Sequence, residues 1–161
     1  MSDRQHRIRP TYVWEAPVRI WHWLMAVAMV VLAITGYLIG SPLPSISGEA
    51  YDHYMFGYIR FAHFAAAYVF AVTFVLRVVW AFFGNRYSRE IFLVPLKMFT
   101  PSWWSGFIKQ TMHYLFLRRE VQPWLGHNPL AMSAMFFMYV LGTVFMICTG
   151  FALYGEGLGM H

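Results

Sequence analysis

Cysteine is almost missing from this sequence: Cys148 is the only one among 161 residues. One thiol builds neither a disulfide framework nor a cysteine-held metal or iron–sulfur centre. Lying inside an apolar run, Cys148 reads as a small packing residue. Charge is scarce as well, at 12% of residues, against about a quarter in an ordinary soluble domain. With 59% apolar residues and 20% aromatics, that scarcity excludes a soluble globular protein and indicates a single integral membrane domain over 1–161. Carboxylates are missing from the middle of every long apolar run, and no run is interrupted. This weighs against a small transporter, which needs ionisable groups or broken helices at mid-membrane.

The apolar runs define the architecture. Three of them, at about 18–40, 57–83 and 129–154, each suffice to cross a hydrocarbon core of about 30 Å. Pro17 precedes the first, and Asn128-Pro129 opens the third as a cap followed by a first-turn proline. The first run follows a basic amino terminus, as in a signal peptide. It is longer than a typical h-region and no A-x-A site closes it, so an uncleaved span is expected. Residues 101–117 carry aromatic and aliphatic side chains broadly at helical spacing, which predicts a helix lying in the membrane interface. Trp21, Trp23, Trp80, Trp103 and Trp104 fall near the ends of apolar runs, where indole rings settle at headgroup level.

The net charge of +5 points to topology and not to nucleic acid, because the basic residues are confined to particular segments. Arg4, Arg7 and Arg9 lie in the amino terminus, and Arg86, Arg89, Lys97, Lys109, Arg118 and Arg119 lie in 85–128. The 41–56 loop carries Glu49 and Asp52 and no Lys or Arg. Lys and Arg are retained on the cytoplasmic side. The amino terminus and 85–128 are thus expected in the cytoplasm, with the 41–56 loop and residue 161 in the periplasm of a bacterial inner membrane.

A short pattern occurs twice at the start of apolar runs: Arg19-Ile20-Trp21-His22 and Arg60-Phe61-Ala62-His63. Each copy puts an arginine one helical turn from a histidine on the same face, with the arginine on the aqueous side. Ionisable groups inside a membrane are costly, so they are functional-site candidates by default. The two histidines are expected on antiparallel helices at levels separated by roughly 15 Å of a core of about 30 Å. A single metal does not bridge that gap, since two nitrogens trans across one ion are only about 4 Å apart. Two sites follow, one near each face. Haem suits them better than zinc, being largely apolar and needing axial histidines plus cations for its propionates. Arg19, Arg60 and Arg77 are the candidate cations, and His22 and His63 the candidate axial ligands. Thr35-Gly36-Tyr37 and Thr149-Gly150-Phe151 form a second repeat, in which Gly36 and Gly150 permit close approach of a helix or a flat ring. His127 reads as part of the cap before the third run, and His6, His53, His113 and His161 as solvent or interface residues.

These segments, together with Val13-Trp14-Glu15-Ala16-Pro17-Val18, Gly57-Tyr58-Ile59-Arg60, Ala81-Phe82-Phe83-Gly84-Asn85-Arg86 and Gly126-His127-Asn128-Pro129, resemble the b-type cytochrome subunit of membrane-bound nickel–iron hydrogenases. That family is related to the cytochrome subunit of formate dehydrogenase. The resemblance implies a four-helix membrane anchor holding two b haems and passing electrons from the iron–sulfur subunit of a periplasmic hydrogenase to quinone. It implies His22 as a ligand of the haem nearer the cytoplasm and His63 of the haem nearer the periplasm. Hydrogen chemistry is expected in the partner large and small subunits. The family's fourth helix supplies the opposing histidines and is absent from these 161 residues. Two expectations follow, a longer polypeptide or a truncated form relying on a partner's ligands. A haem-free structural anchor for the hydrogenase is the competing reading.

Overall fold

The computed structural model describes residues 12–42, 54–120 and 123–159. Among these every regular element is a helix and none is a strand. Helix α1 is Ala16–Gly40 and α2 is Met55–Phe83. Short helices α3 (Arg86–Arg89) and α4 (Val94–Lys97) follow, then α5 (Pro101–Tyr114). The third long helix begins as α6 (Pro129–Ala134), passes through a π-helical segment (Met135–Leu141), and ends as α7 (Gly142–Gly157). The three apolar runs thus become three helices long and apolar enough to cross a membrane: Ala16–Gly40, Met55–Phe83 and Pro129–Gly157. This is a helical membrane protein. The acidic residues of the 41–56 loop, along with His6, His53 and His161, lie outside the described residues.

Local sequence explains the boundaries. Prolines occupy the first turn of α1, α5 and α6, where a missing N–H costs nothing. The Asn128 side chain accepts from the Ala131 N–H at 2.7 Å, the cap expected of Asn-Pro. Asn85 caps α3 in the same way through the Ser88 N–H at 2.9 Å. The interfacial helix expected over 101–117 stops at Tyr114, and Phe116 then takes a left-handed φ of 60°. The π-helical segment has no warning in the residue pattern, since Met135–Leu141 is uniformly apolar apart from one tyrosine hydroxyl.

Helices α1 and α2 pair along their length, whereas α7 meets α2 only sparsely. Packing at mid-bundle centres on Met25, Ala28, Phe70, Phe74, Ile91 and Val140. A second cluster of Val94, Trp103 and Met132 ties α4 and α5 to α6. Trp103 is therefore an interior residue, 6% exposed and stacked on Phe107, and not a headgroup anchor.

At the end of the bundle that carries the basic residues, Glu15 acts as a clamp. Its Oε2 accepts from Trp80 Nε1 at 2.9 Å and from the Asn85 N–H at 3.1 Å, joining the start of α1 to the end of α2. The Asn85 amide donates back to the Tyr12 and Val13 carbonyls.

Candidate functional site

Two cavities lie between the long helices. The first, toward the carboxyl end of α1, has a volume of about 260 Å³ and is lined by His63, Phe64 and Tyr68 of α2, Leu32 of α1, and Gly150 and Tyr154 of α7, among others. His63 is half-buried there. Its Nδ1 lies 2.8 Å from Thr35 Oγ1 on α1. Gly36 explains how α1 comes so close, because a Cβ at that position would stand 3.4 Å from His63 Cε1. Gly150 also lines the cavity but lies in open space, with nothing within 4 Å of where its Cβ would be. The two TG-aromatic copies therefore differ: among the described residues the Thr149 hydroxyl bonds only to its own helix, at Phe145 and Met146, while Thr35 reaches a histidine.

The second cavity, at the basic end, has a volume of about 480 Å³ and is lined by Arg19, His22, Arg77, His127, Met135 and Tyr139, among others. His22 is exposed on α1, with its ring edge-on to Trp23. Arg77 is 6% exposed. Its Nη2 donates to the Ser88 carbonyl at 2.5 Å and its guanidinium lies over the Phe92 ring, leaving Nη1 buried without a partner among the described residues. Arg19 donates to the Tyr12 hydroxyl at 3.3 Å. Arg60 lines neither cavity; it is exposed and lies over Phe56, one turn earlier on its own helix. The arginines of the repeated pattern are thus not equivalent.

Because His63 meets Thr35, its level along α1 lies about 20 Å from His22, at 1.5 Å per residue. No group of three or more potential ligands capable of holding a bare metal ion occurs among the described residues. Each cavity instead presents one of the two membrane histidines in a predominantly apolar wall.

A family model described as prokaryotic cytochrome b561 matches residues 13–160. The chain belongs to that family. Its curated relatives agree. One from Azotobacter vinelandii is 53% identical over 161 residues, covering 98% of this chain and 66% of the relative. One from Cupriavidus necator is 54% identical over 153 residues, covering 95% of this chain and 62% of the relative. Each is named a probable Ni/Fe-hydrogenase B-type cytochrome subunit. A protein from Escherichia coli K12, named a probable Ni/Fe-hydrogenase 1 B-type cytochrome subunit, is 53% identical over 156 residues, covering 97% of this chain and 65% of the relative. The chain thus spans just under two thirds of the length of these relatives.

Sequence reasoning left one resident of this cytochrome b561-family cavity outside the site. His127 is a cap-region residue as expected, but the turn at Gly126, with φ of 91°, folds it back against the bundle. A side chain at Gly126 would be strained at that φ and would press on Tyr87 and Glu90 at 3.0 and 3.1 Å. His127 packs edge-on to Trp14 at 4.5 Å, and its Nδ1 is buried without a partner among the described residues. Burial, reinforced by the Arg77 charge, holds its pKa below the ordinary histidine value. The folded state therefore resists protonation of His127 more than the unfolded chain does. Its stability is complete above the unfolded pKa of about 6.5 and is lost as pH falls through the lower folded value. We expect thermal unfolding of the detergent-solubilised protein to shift downward between pH 7 and pH 5, and His127→Gln to flatten that dependence. An equal slope in the variant would assign the effect elsewhere.

Proposed function

We propose that this chain is the membrane-embedded electron carrier of a periplasmic nickel–iron hydrogenase. It would hold two b haems in series between the iron–sulfur small subunit of that enzyme and the quinone pool, with the large subunit activating hydrogen. The observation that carries this reading is the pair of apolar cavities about 20 Å apart along α1, each with one membrane histidine in its wall. The names of the relatives support the partner. The orientation follows from the basic segments: amino terminus and residues 85–128 in the cytoplasm, the His63 cavity toward the periplasm, the His22 cavity toward the cytoplasm.

The residues fit haem b. His63 has one ring nitrogen engaged by Thr35, which leaves the other for an iron. The walls around both histidines are aromatic and aliphatic, suited to the face of a macrocycle. The basic cavity adds Arg19 and the buried Arg77, whose unpartnered Nη1 suits a propionate carboxylate through a charge-assisted hydrogen bond. When bound, haem b supplies a one-electron iron couple at each level. His22 and His63 are the residues of this chain that would hold the two haem irons. Gly36 keeps α1 close to the His63 imidazole, and Gly150 keeps the opposite wall open to a flat ring. Arg60, over Phe56, serves at most the surface of the periplasmic site.

Haem stoichiometry tests the reading. A reduced-minus-oxidised visible spectrum of the purified complex, combined with haem extraction, is expected to give two b haems per copy of this subunit. A complex with full subunit content and no haem would leave the haem-free anchor as the function.

A further inference from the structure

The Thr35 hydroxyl stands between two partners. Its Oγ1 lies 2.6 Å from the Val31 carbonyl oxygen and 2.8 Å from His63 Nδ1. A carbonyl oxygen only accepts, so two oxygens this close need a hydrogen between them, and the only one available is the hydroxyl proton of Thr35. With that proton committed to Val31, Oγ1 is left as an acceptor toward Nδ1. A neutral imidazole carries one N–H. It must therefore sit on Nδ1, and Nε2 presents its lone pair.

We infer that Thr35 is a positioning residue for the periplasmic haem proposed above: it fixes the tautomer of His63 with Nε2 as the ligating nitrogen and tunes the iron through the Nδ1–H bond. The inference rests on His63 being a haem ligand. The setting supports a rigid arrangement. Thr35 is 8% exposed, its hydroxyl is held by its own helix, and Gly36 beside it lets the imidazole approach. An imidazole that donates from its distal nitrogen is the electron-richer ligand, and such partners orient the ring as well as tuning the metal. The bond from Thr35 to Val31 polarises the hydroxyl oxygen and strengthens its acceptance. Electron donation favours ferric iron, so the hydrogen bond lowers the midpoint potential of this haem. Thr149, the corresponding threonine of the other TG-aromatic copy, bonds only to its own helix and has no such role.

The test compares Thr35→Val, Thr35→Ser and His63→Ala in the intact membrane complex, reading haem content, the redox titration of each haem and the low-spin ferric EPR signals. Valine conserves shape and removes the hydroxyl. We expect Thr35→Val to keep the haem but shift its ferrous-to-ferric ratio several-fold toward ferrous at fixed potential, a tenfold shift being 59 mV for one electron. Its EPR g-values should move, and those of the other haem should not. Thr35→Ser should behave as the wild type. Full haem content in Thr35→Val with unmoved potential and g-values would overturn the inference. If Thr35→Val loses the haem, retention in Thr35→Ser supports the role of the hydroxyl, whereas loss in both makes Thr35 a packing residue and overturns it. His63→Ala keeps the underlying reading separate: a variant that retains both haems removes His63 as a ligand, whatever Thr35 does.

Discussion

Replacing His63 by alanine is expected to cut hydrogen-dependent quinone reduction by the membrane complex at least about a hundredfold, since even partners of metal ligands cost 10–100-fold when removed. The same complex should reduce a soluble dye with hydrogen at the wild-type rate, because on the proposed path such a dye takes electrons before they reach this subunit. His22→Ala is expected to give the same loss of quinone reduction with a different spectrum: the haem that remains is the one lost in His63→Ala. This reciprocity follows from the distance between the two levels and from the exclusive membership of each histidine in one cavity. Measuring quinone reduction, dye reduction and haem content on the same preparations checks it. Near-normal quinone reduction in either single variant would contradict two haems acting in series.

The second large effect concerns Glu15. Glu15→Ala removes the acceptor of the Trp80 indole and of the Asn85 N–H. Unsatisfied donors cost about 1–3 kcal/mol each when fully buried, and these are partly buried, so a loss of about 2 kcal/mol is expected. It should appear as a lower midpoint of thermal unfolding in detergent and as faster proteolysis near residues 84–89. Glu15→Gln retains a carbonyl oxygen and should recover most of the loss. A similar midpoint for wild type and Glu15→Ala would show that water takes over both donors.

Much of this was readable in the residues, and the division has a physical cause. Length and hydropathy are local, so the three membrane helices followed from runs of apolar residues. His22 and His63 stood out because the arginine–histidine spacing repeats within one helical turn. The partners are long-range and left no such mark. Thr35 is 28 positions from His63, and nothing in the sequence singles it out from Thr149. His127 and Arg77 come together only because the Gly126 turn folds back, and Glu15 reaches Trp80 across 65 positions. The equivalence expected of Arg19 and Arg60 fails for the same reason: identical spacing along a helix does not decide what the neighbouring helices present. Of the close approach of a helix or a flat ring expected at both glycines, Gly36 shows the helix form, with a histidine of α2 opposite, while Gly150 faces open space.

The wider winding of Met135–Leu141 has a consequence for phase. From Met135, which lines the basic cavity, to Ile147, which lines the other, an unbroken α-helix at 3.6 residues per turn would end about a third of a turn out of register. Bonds of the i→i+5 type put more residues into each turn, so every residue of the segment advances by a smaller angle and the excess rotation is taken back. The third helix can then turn one continuous side toward both cavities. Winding these same residues as an α-helix, with none removed, would rotate everything beyond them by about a third of a turn. Gly150 and Tyr154 would swing away from His63, while Met135 and Tyr139 stayed beside His22.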